Sequence, residues 1–213
     1  MHPRLYLVTP PHFDLDVFEG QLKEAIEGGD IACLLISAPK VNEPELQTIA
    51  KRLVPIAQAA GIAVLIENNT QIAGRSGADG VHITGSDKEL EEVVRSFQES
   101  KIIGHAGIKT KHEAMTVASM GIDYIFFGLL ELEQKEQANR KSLEYGRWWA
   151  EVFETPCVVL SGTTLESVEA AAATGAEFVA VREAIWSYQT GPKAAITAAN
   201  AVLSQYELAE AEE

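Results

Sequence analysis

Side chains that bind phosphate follow two short apolar runs in the last third of the sequence. Ser161-Gly162-Thr163 comes directly after one run, and Arg182 comes directly after the next. Backbone N–H groups at the start of a helix bind anions, and a guanidinium group binds phosphate through two parallel hydrogen bonds. The sequence therefore predicts a phosphate site formed by Ser161, Gly162, Thr163 and Arg182.

The same residues have a second interpretation that needs no ligand. In it, Thr163 caps the helix that follows, and Arg182 forms an ion pair with Glu183 or Glu177. Glu183 counts against the phosphate site, because a carboxylate at the start of a helix occupies the positive end that a phosphate needs. The sequence leaves both interpretations open.

Charged and polar residues follow the other apolar runs as well. Glu67 and Asp87 are candidate ligands for Mg²⁺, which proteins bind through one or two carboxylates together with substrate oxygens and water. Lys40, Glu67 and His105 are candidates for a catalytic acid, base or electrophile. Four more residues are expected to line a ligand pocket: Thr9, Asn68, His82 and Gly128. Because His82 lies within its run, a hydrogen-bonded core histidine is the favoured interpretation for it.

The apolar runs themselves are typical of parallel β-strands. Each is short and rich in β-branched residues, and each is followed by a longer segment with helical spacing. The predicted strands are Leu5–Thr9, Ile31–Ser37, Ile62–Ile66, Gly80–Ile83, Lys101–Gly104, Tyr124–Phe127, Cys157–Leu160 and Phe178–Val181. Eight βα units predict an α/β fold, a single (β/α)₈ TIM barrel over residues 1–206, followed by an acidic C-terminal tail over residues 207–213. The candidate residues should then meet at the carboxyl ends of the strands.

A short repeat supports this assignment. Gly77-Ala78-Asp79, Gly121-Ile122-Asp123 and Gly175-Ala176-Glu177 each stand directly before a predicted strand. Each glycine lies where a helix would end in a left-handed residue. An open doubly wound sheet is the competing architecture, but the turn after the first strand lacks its G-x-G-x-x-G sequence.

Charge and cysteine content narrow the class of partner. The 213 residues include 31 Asp and Glu against 17 Lys and Arg, which gives a formal net charge of −14. Such a charge repels nucleic acid and anionic membranes, so neither is an expected partner. Cys33 and Cys157 lie in apolar runs and are interpreted as small buried hydrophobes. This pattern favours the reducing cytoplasm.

Segments from the first strand to the eighth share the pattern of one known family. They are Leu5–Thr9, Gly77–Ile83, Ile102–Gly104, Gly121–Ile125 with Gly128, and Phe178–Val181. In this order they resemble thiamine phosphate synthase, also called thiamin-phosphate pyrophosphorylase, and its thiazole tautomerase relatives. The resemblance implies a TIM barrel that is usually a homo-oligomer and acts on a small phosphorylated metabolite. For the synthase it implies Mg²⁺-dependent transfer of hydroxymethylpyrimidine from its diphosphate to a thiazole phosphate.

The resemblance also shows where this sequence departs from the family pattern. The Gln, Arg and Lys of the family's second strand fall on Leu34, Ile36 and Ala38. Its Asn-Asp-Arg after the third strand becomes Glu67-Asn68-Asn69, and Asp87 matches its second metal carboxylate. The loop after the sixth strand has no Thr and gains acids. The positive groups that would neutralise a departing diphosphate are therefore missing.

These departures predict a thiamine phosphate synthase-like protein of thiamine biosynthesis with a degenerate active site and weak or lost synthase activity. If active, it would be a transferase of that type, with Mg²⁺ as cofactor. Two alternatives stay open. One is a non-catalytic barrel that binds a small phosphorylated metabolite, and the other is an enzyme with a different substrate.

Overall fold

Eight parallel strands form a closed barrel in chain order. The computed structural model describes residues 2–97 and 101–207. The strands are β1 (Arg4–Val8), β2 (Cys33–Ile36), β3 (Ala63–Glu67), β4 (Gly80–Ile83), β5 (Ile102–His105), β6 (Tyr124–Phe127), β7 (Cys157–Leu160) and β8 (Phe178–Val181). The predicted TIM barrel is confirmed, and β4, β6, β7 and β8 have the predicted bounds. The predicted tail, apart from Glu207, lies outside the described residues.

Helices alternate with the strands in the described part of the chain. They are α1 (Leu15–Ile26), α2 (Glu43–Ala59), α3 (Thr70–Ser76), α4 (Asp87–Phe97), α5 (Lys111–Ala118), α6 (Arg140–Val152), α7 (Leu165–Ala172), α8 (Glu183–Trp186) and α9 (Pro192–Leu203). Several begin at a side chain that accepts a backbone N–H of the first turn, as Asp14 does for α1. For α7 the capping residue is Thr164. The prediction that Thr163 caps this helix is therefore wrong by one residue. None of the helices described is long and apolar enough to span a membrane.

The repeat joins helix ends to strands. Gly77, Gly121 and Gly175 have φ angles of 72°, 91° and 85°, the left-handed conformation that the repeat predicts. The acid two residues later accepts a backbone N–H from a neighbouring strand: Asp79 from Val64, Asp123 from Ile103, and Glu177 from Cys157. Each copy of the repeat therefore ends a helix and fixes the start of a strand.

Alternation of side chains along the strands decides which residues face the barrel axis. The inner layer contains Tyr6, Cys33, Leu35, Leu65, Tyr124, Phe126, Leu160 and Ala180 among others. Leu34 and Ile36 instead pack in the outer layer under the helices, and Ala38, beyond the end of β2, packs against the same cluster while lining the mouth. The site positions of the second strand are therefore Leu35 and Ser37, one residue later than the sequence alignment places them. Neither side chain is charged.

A polar group of side chains lies inside the barrel. Tyr124 Oη is 2.7 Å from Tyr6 Oη and 2.7 Å from His82 Nδ1, and all three side chains are buried. The barrel admits the Tyr124 ring because residue 104 on β5 is glycine, where a Cβ would overlap that ring. His82 is thus a hydrogen-bonded core histidine, as the favoured interpretation has it. The two cysteines are also buried and free.

Candidate active site

A cavity of about 360 Å³ opens at the carboxyl ends of β2 to β6. Its polar lining comes from Ser37, Glu67, Asn68, Thr84 and Glu131. The Ser37 hydroxyl donates to Glu67 Oε2 over 2.6 Å. The Asn68 amide is engaged with Thr84, accepting its N–H over 2.8 Å and donating to its hydroxyl over 2.6 Å. The central cavity therefore presents two carboxylates, a hydroxyl pair and no cationic side chain among the described residues that line it.

Glu67 has the environment of an acid–base group. Burial raises the pKa of its carboxyl, the Ser37 hydrogen bond opposes the rise, Glu131 adds to it and Arg182 reduces it. A carboxyl whose pKa is raised in a cleft is a candidate for a general acid or base. Glu67 is therefore the candidate acid or base best placed in the central cavity.

We expect Glu67→Gln to stabilise the protein more at about pH 8 than at about pH 4. Because the folded-state pKa of Glu67 lies above the unfolded one, its contribution to stability is present at low pH and is lost as pH rises through the folded pKa. Gln keeps the volume and an acceptor for Ser37 without ionising. Thermal unfolding at both pH values measures the effect, with the exposed Glu154→Gln as control. An equal gain at both pH values would contradict the assignment.

A second cavity, of about 520 Å³, lies beside the first on the α5–α6 side of the mouth. Its lining includes His105, Asp87, Glu113 and Glu131. His105 is 2% exposed, and its Nδ1 has no hydrogen-bond partner among the described residues. Burial lowers the pKa of His105, although Asp87 and Glu113 act in the opposite direction. A neutral imidazole there can accept a proton, but by strand alternation it faces away from the barrel axis.

We expect His82 to make the fold sensitive to acid. Burial, with a smaller contribution from His105, lowers the pKa of His82 to about 3. The unfolded chain takes up this proton below an ordinary value of about 6.5, so stability falls as pH drops below that value. Going from about pH 7 to about pH 5 should cost about 2 kcal/mol through this residue alone.

His82→Gln tests this expectation, because Gln can still bond to Tyr124 but does not titrate. Urea unfolding at both pH values should show the loss reduced by about 2 kcal/mol in the variant. The exposed His112→Gln serves as control. A variant with the full acid loss of the wild type would show that another group is responsible.

The candidate metal ligands are not gathered in one place. Glu67 lines the central cavity, whereas Asp87 lines the second cavity. The described residues contain no group of three or more His, Cys, Asp or Glu side chains that could hold a metal ion. The Asn68 oxygen is also occupied by the Thr84 N–H. These residues therefore do not fit a Mg²⁺ site formed by Glu67 and Asp87 together.

The four predicted phosphate-binding residues do lie together at the ends of β7 and β8. Arg182 is 4% exposed, and its guanidinium donates to Leu130 O over 2.8 Å and to Leu132 O over 3.4 Å. The Thr163 N–H donates to Lys135 O over 2.9 Å, and the Ser161 hydroxyl donates to Gly162 O. Of the two predicted ion-pair partners of Arg182, Glu183 lies 3.7 Å away. Glu177 instead accepts the Cys157 N–H.

Two further candidates, Lys40 and Thr9, also lie outside the central cavity. Lys40 is exposed on the loop after β2, with its ammonium 3.0 Å from His12 Nε2. Thr9 is fully buried, and its hydroxyl donates to Ser37 O and accepts the Ser37 N–H. Asn68 and Gly128 line the central cavity. Glu131 also lines this cavity and was not among the predicted site residues, although the acids added to the sixth-strand loop were a signal for it.

Comparison with known proteins places the chain in a family. The sequence profile of the family described as thiamine monophosphate synthase matches residues 5–185. A thiamine-phosphate synthase from Rhodospirillum centenum is 33% identical over 201 residues, covering 94% of this chain and 97% of the relative. One from Hyphomonas neptunium is 32% identical over 205 residues, covering 93% of each.

Solved structures agree on the fold. A thiamine phosphate pyrophosphorylase from Pyrococcus furiosus superposes with a TM-score of 0.79 at 20% identity, covering 95% of this chain and 96% of that one. A 3-hexulose-6-phosphate synthase superposes with a TM-score of 0.74 at 18% identity, covering 93% of this chain and 100% of that one. At such identities the likeness concerns the barrel. The family match and the relatives above 30% identity carry the assignment further: this chain belongs to the thiamine monophosphate synthase family.

Proposed function

We propose that this protein keeps the family barrel but has a degenerate active site that forms thiamine phosphate weakly or not at all. The observation that carries the proposal is the charge of the central cavity. Its lining holds Glu67 and Glu131 and, among the described residues, no Lys or Arg. The family reaction releases a diphosphate, whose developing negative charge must be neutralised by cations. The carboxylates of Glu67 and Glu131 in the same cavity repel that negative charge.

The nearest buried cation does not compensate for this. The Arg182 guanidinium donates to two backbone carbonyls and lies beside Glu183. The inner positions of the second strand hold Leu35 and Ser37, and the Ser37 hydroxyl is committed to Glu67. The residues at the mouth can thus donate and accept a proton, but they do not form a cationic binding site for diphosphate. Mg²⁺ would be needed only for retained synthase chemistry.

A synthase assay tests the proposal directly. The purified protein and the Rhodospirillum centenum relative are given hydroxymethylpyrimidine diphosphate, thiazole phosphate and excess Mg²⁺ under identical conditions, and thiamine phosphate is measured. A rate equal to that of the relative would contradict the proposal.

A second candidate function is an enzyme of this family with a different substrate. It is favoured by the pairing of Glu67 with Glu131 in one cavity, since like charges close together raise a carboxyl pKa. Such a cavity suits proton transfer on a substrate that carries no diphosphate. The test is to incubate the protein with phosphate monoesters and to measure both binding and conversion. Conversion of a bound monoester by the wild type, lost in Glu67→Gln, would favour this candidate. Saturable binding without conversion would favour a non-catalytic barrel.

The partner proposed for either function is a small phosphorylated metabolite held at Ser161, Gly162, Thr163 and Arg182. The family implies such a ligand, and these residues lie together at the mouth. A homo-oligomeric state and a cytoplasmic location stay predictions.

A further inference from the structure

One segment of the chain takes up the hydrogen-bond donors at the ends of β7 and β8. This segment, residues 130–136 of the loop between β6 and α6, is called the strap below. Two of these donors are the terminal nitrogens of the Arg182 guanidinium, which donate to Leu130 O and Leu132 O. The others are Thr163 N to Lys135 O, Thr164 Oγ1 to Glu136 O, and Glu183 N to Gln134 Oε1. Five donors from two loops thus meet oxygen atoms of a single segment.

The strap lies directly on the backbone of the predicted phosphate site. A Cβ at residue 162 would lie 2.5 Å from Lys135 O and closer still to Glu136 O, so only glycine leaves room for it. Carbonyl oxygens carry partial negative charge and stand opposite N–H, hydroxyl and guanidinium donors, as phosphate oxygens do. The strap therefore supplies the chemistry of an anion at this position.

Arg182 shows that the strap satisfies the site incompletely. Its side chain is 4% exposed, and Nε has no hydrogen bond among the described residues, although Glu183 Oε1 lies 3.7 Å from it as an ion-pair partner. A buried donor without a hydrogen bond costs free energy. A phosphate has more acceptor oxygens than two backbone carbonyls can offer to one guanidinium. The strap therefore occupies the predicted phosphate site but does not supply an acceptor for every Arg182 donor.

The strap is held by hydrogen bonds more than by packing. All its residues are exposed except Leu130 and Gln134, and Leu132 is 54% exposed. The Gln134 side chain fastens it, donating to Ser161 O over 2.9 Å while accepting the Glu183 N–H. A cavity of about 900 Å³ adjoins the strap, lined in part by Gly128, Leu160 and Ser161. Space for a rearranged strap or for a ligand is therefore present.

We propose that the strap is an internal stand-in for a phosphate group, and that a phosphorylated ligand binds at the ends of β7 and β8 by displacing it. This inference rests on the proposed phosphate site and adds its regulation. The strap blocks the site in the free protein, so the apparent affinity for phosphate is reduced by the fraction of molecules in which it is closed.

Gln134→Ala tests the proposal, because it loosens the strap without removing any donor of the site. Gln137→Ala is the matched control, since Gln137 is an exposed residue of the same loop. We expect Gln134→Ala to bind inorganic phosphate and pyrophosphate at least about tenfold more tightly in calorimetry, and the control to equal the wild type. Trypsin cleavage after Lys135 gives a second readout. It should be faster in Gln134→Ala, and phosphate should accelerate it in the wild type.

Each failure has a distinct meaning. If both proteins bind phosphate equally while Gln134→Ala is cleaved faster, the strap inference is overturned and the phosphate site stands. If neither protein binds phosphate, both the strap inference and the phosphate site are overturned. Phosphate binding that leaves cleavage after Lys135 unchanged in the wild type would show that the strap need not move, which also overturns the inference.

Discussion

The purified protein should form thiamine phosphate at least about a thousandfold more slowly than the Rhodospirillum centenum relative. Each hydrogen bond to a charged group contributes roughly 1.5–3 kcal/mol, and in the proposed degenerate site the Arg and Lys of the family's second strand are replaced by Ile36 and Ala38. Losing only about 4 kcal/mol of transition-state stabilisation corresponds to a thousandfold in rate. The contacts share one ligand, so their losses need not add, and the lower bound is the appropriate expectation.

Two controls make this result interpretable. Cooperative thermal unfolding of the same preparation shows that a slow rate is not caused by unfolded protein. Varying Mg²⁺ and the diphosphate separately distinguishes weak binding from slow chemistry, because a binding defect is overcome by substrate and a chemical defect is not. A rate within tenfold of the relative would contradict the proposal. Lys109 and Lys141, which line the second cavity beside the mouth, would then be the cations to test by substitution.

Gly104→Ala should lower the free energy of unfolding by about 3 kcal/mol, the upper part of the range for overpacked cores. A methyl group at residue 104 would overlap the Tyr124 ring, which fills the barrel beside β5. Relief requires the ring to move, and movement breaks its hydrogen bonds to Tyr6 and His82. Buried polar groups left without partners add to the cost.

Gly74→Ala is the matched control for this substitution. Gly74 lies in α3, and a Cβ there would meet nothing within 4 Å. Alanine is the better helix former, so this variant should be unchanged or slightly more stable. Urea unfolding of both variants measures the difference. If Gly104→Ala were as stable as the control, the Tyr124 ring would not be packed against residue 104 in solution.

The sequence determined the fold because its signals are local. Alternation of apolar runs with helical segments fixed eight βα units, and the Gly-x-Asp or Gly-x-Glu repeat marked where helices end. The buried cysteines followed from the apolar neighbours of Cys33 and Cys157. The four residues predicted to bind phosphate also lie together, since parallel strands bring their carboxyl ends to one mouth.

Only the tertiary structure shows which side chains face the mouth of the barrel and which of them are already hydrogen-bonded to other loops. One residue of register on β2 changes which side chains face inward, and side-chain direction in a barrel depends on pairing with both neighbouring strands. Glu131 joins Glu67, Asp87 is kept apart from it, and the strap accepts the donors of Arg182 and Thr163, all through contacts distant in sequence. Local patterns specify which groups a strand carries, whereas the packing of separate loops specifies which groups are free to meet a ligand.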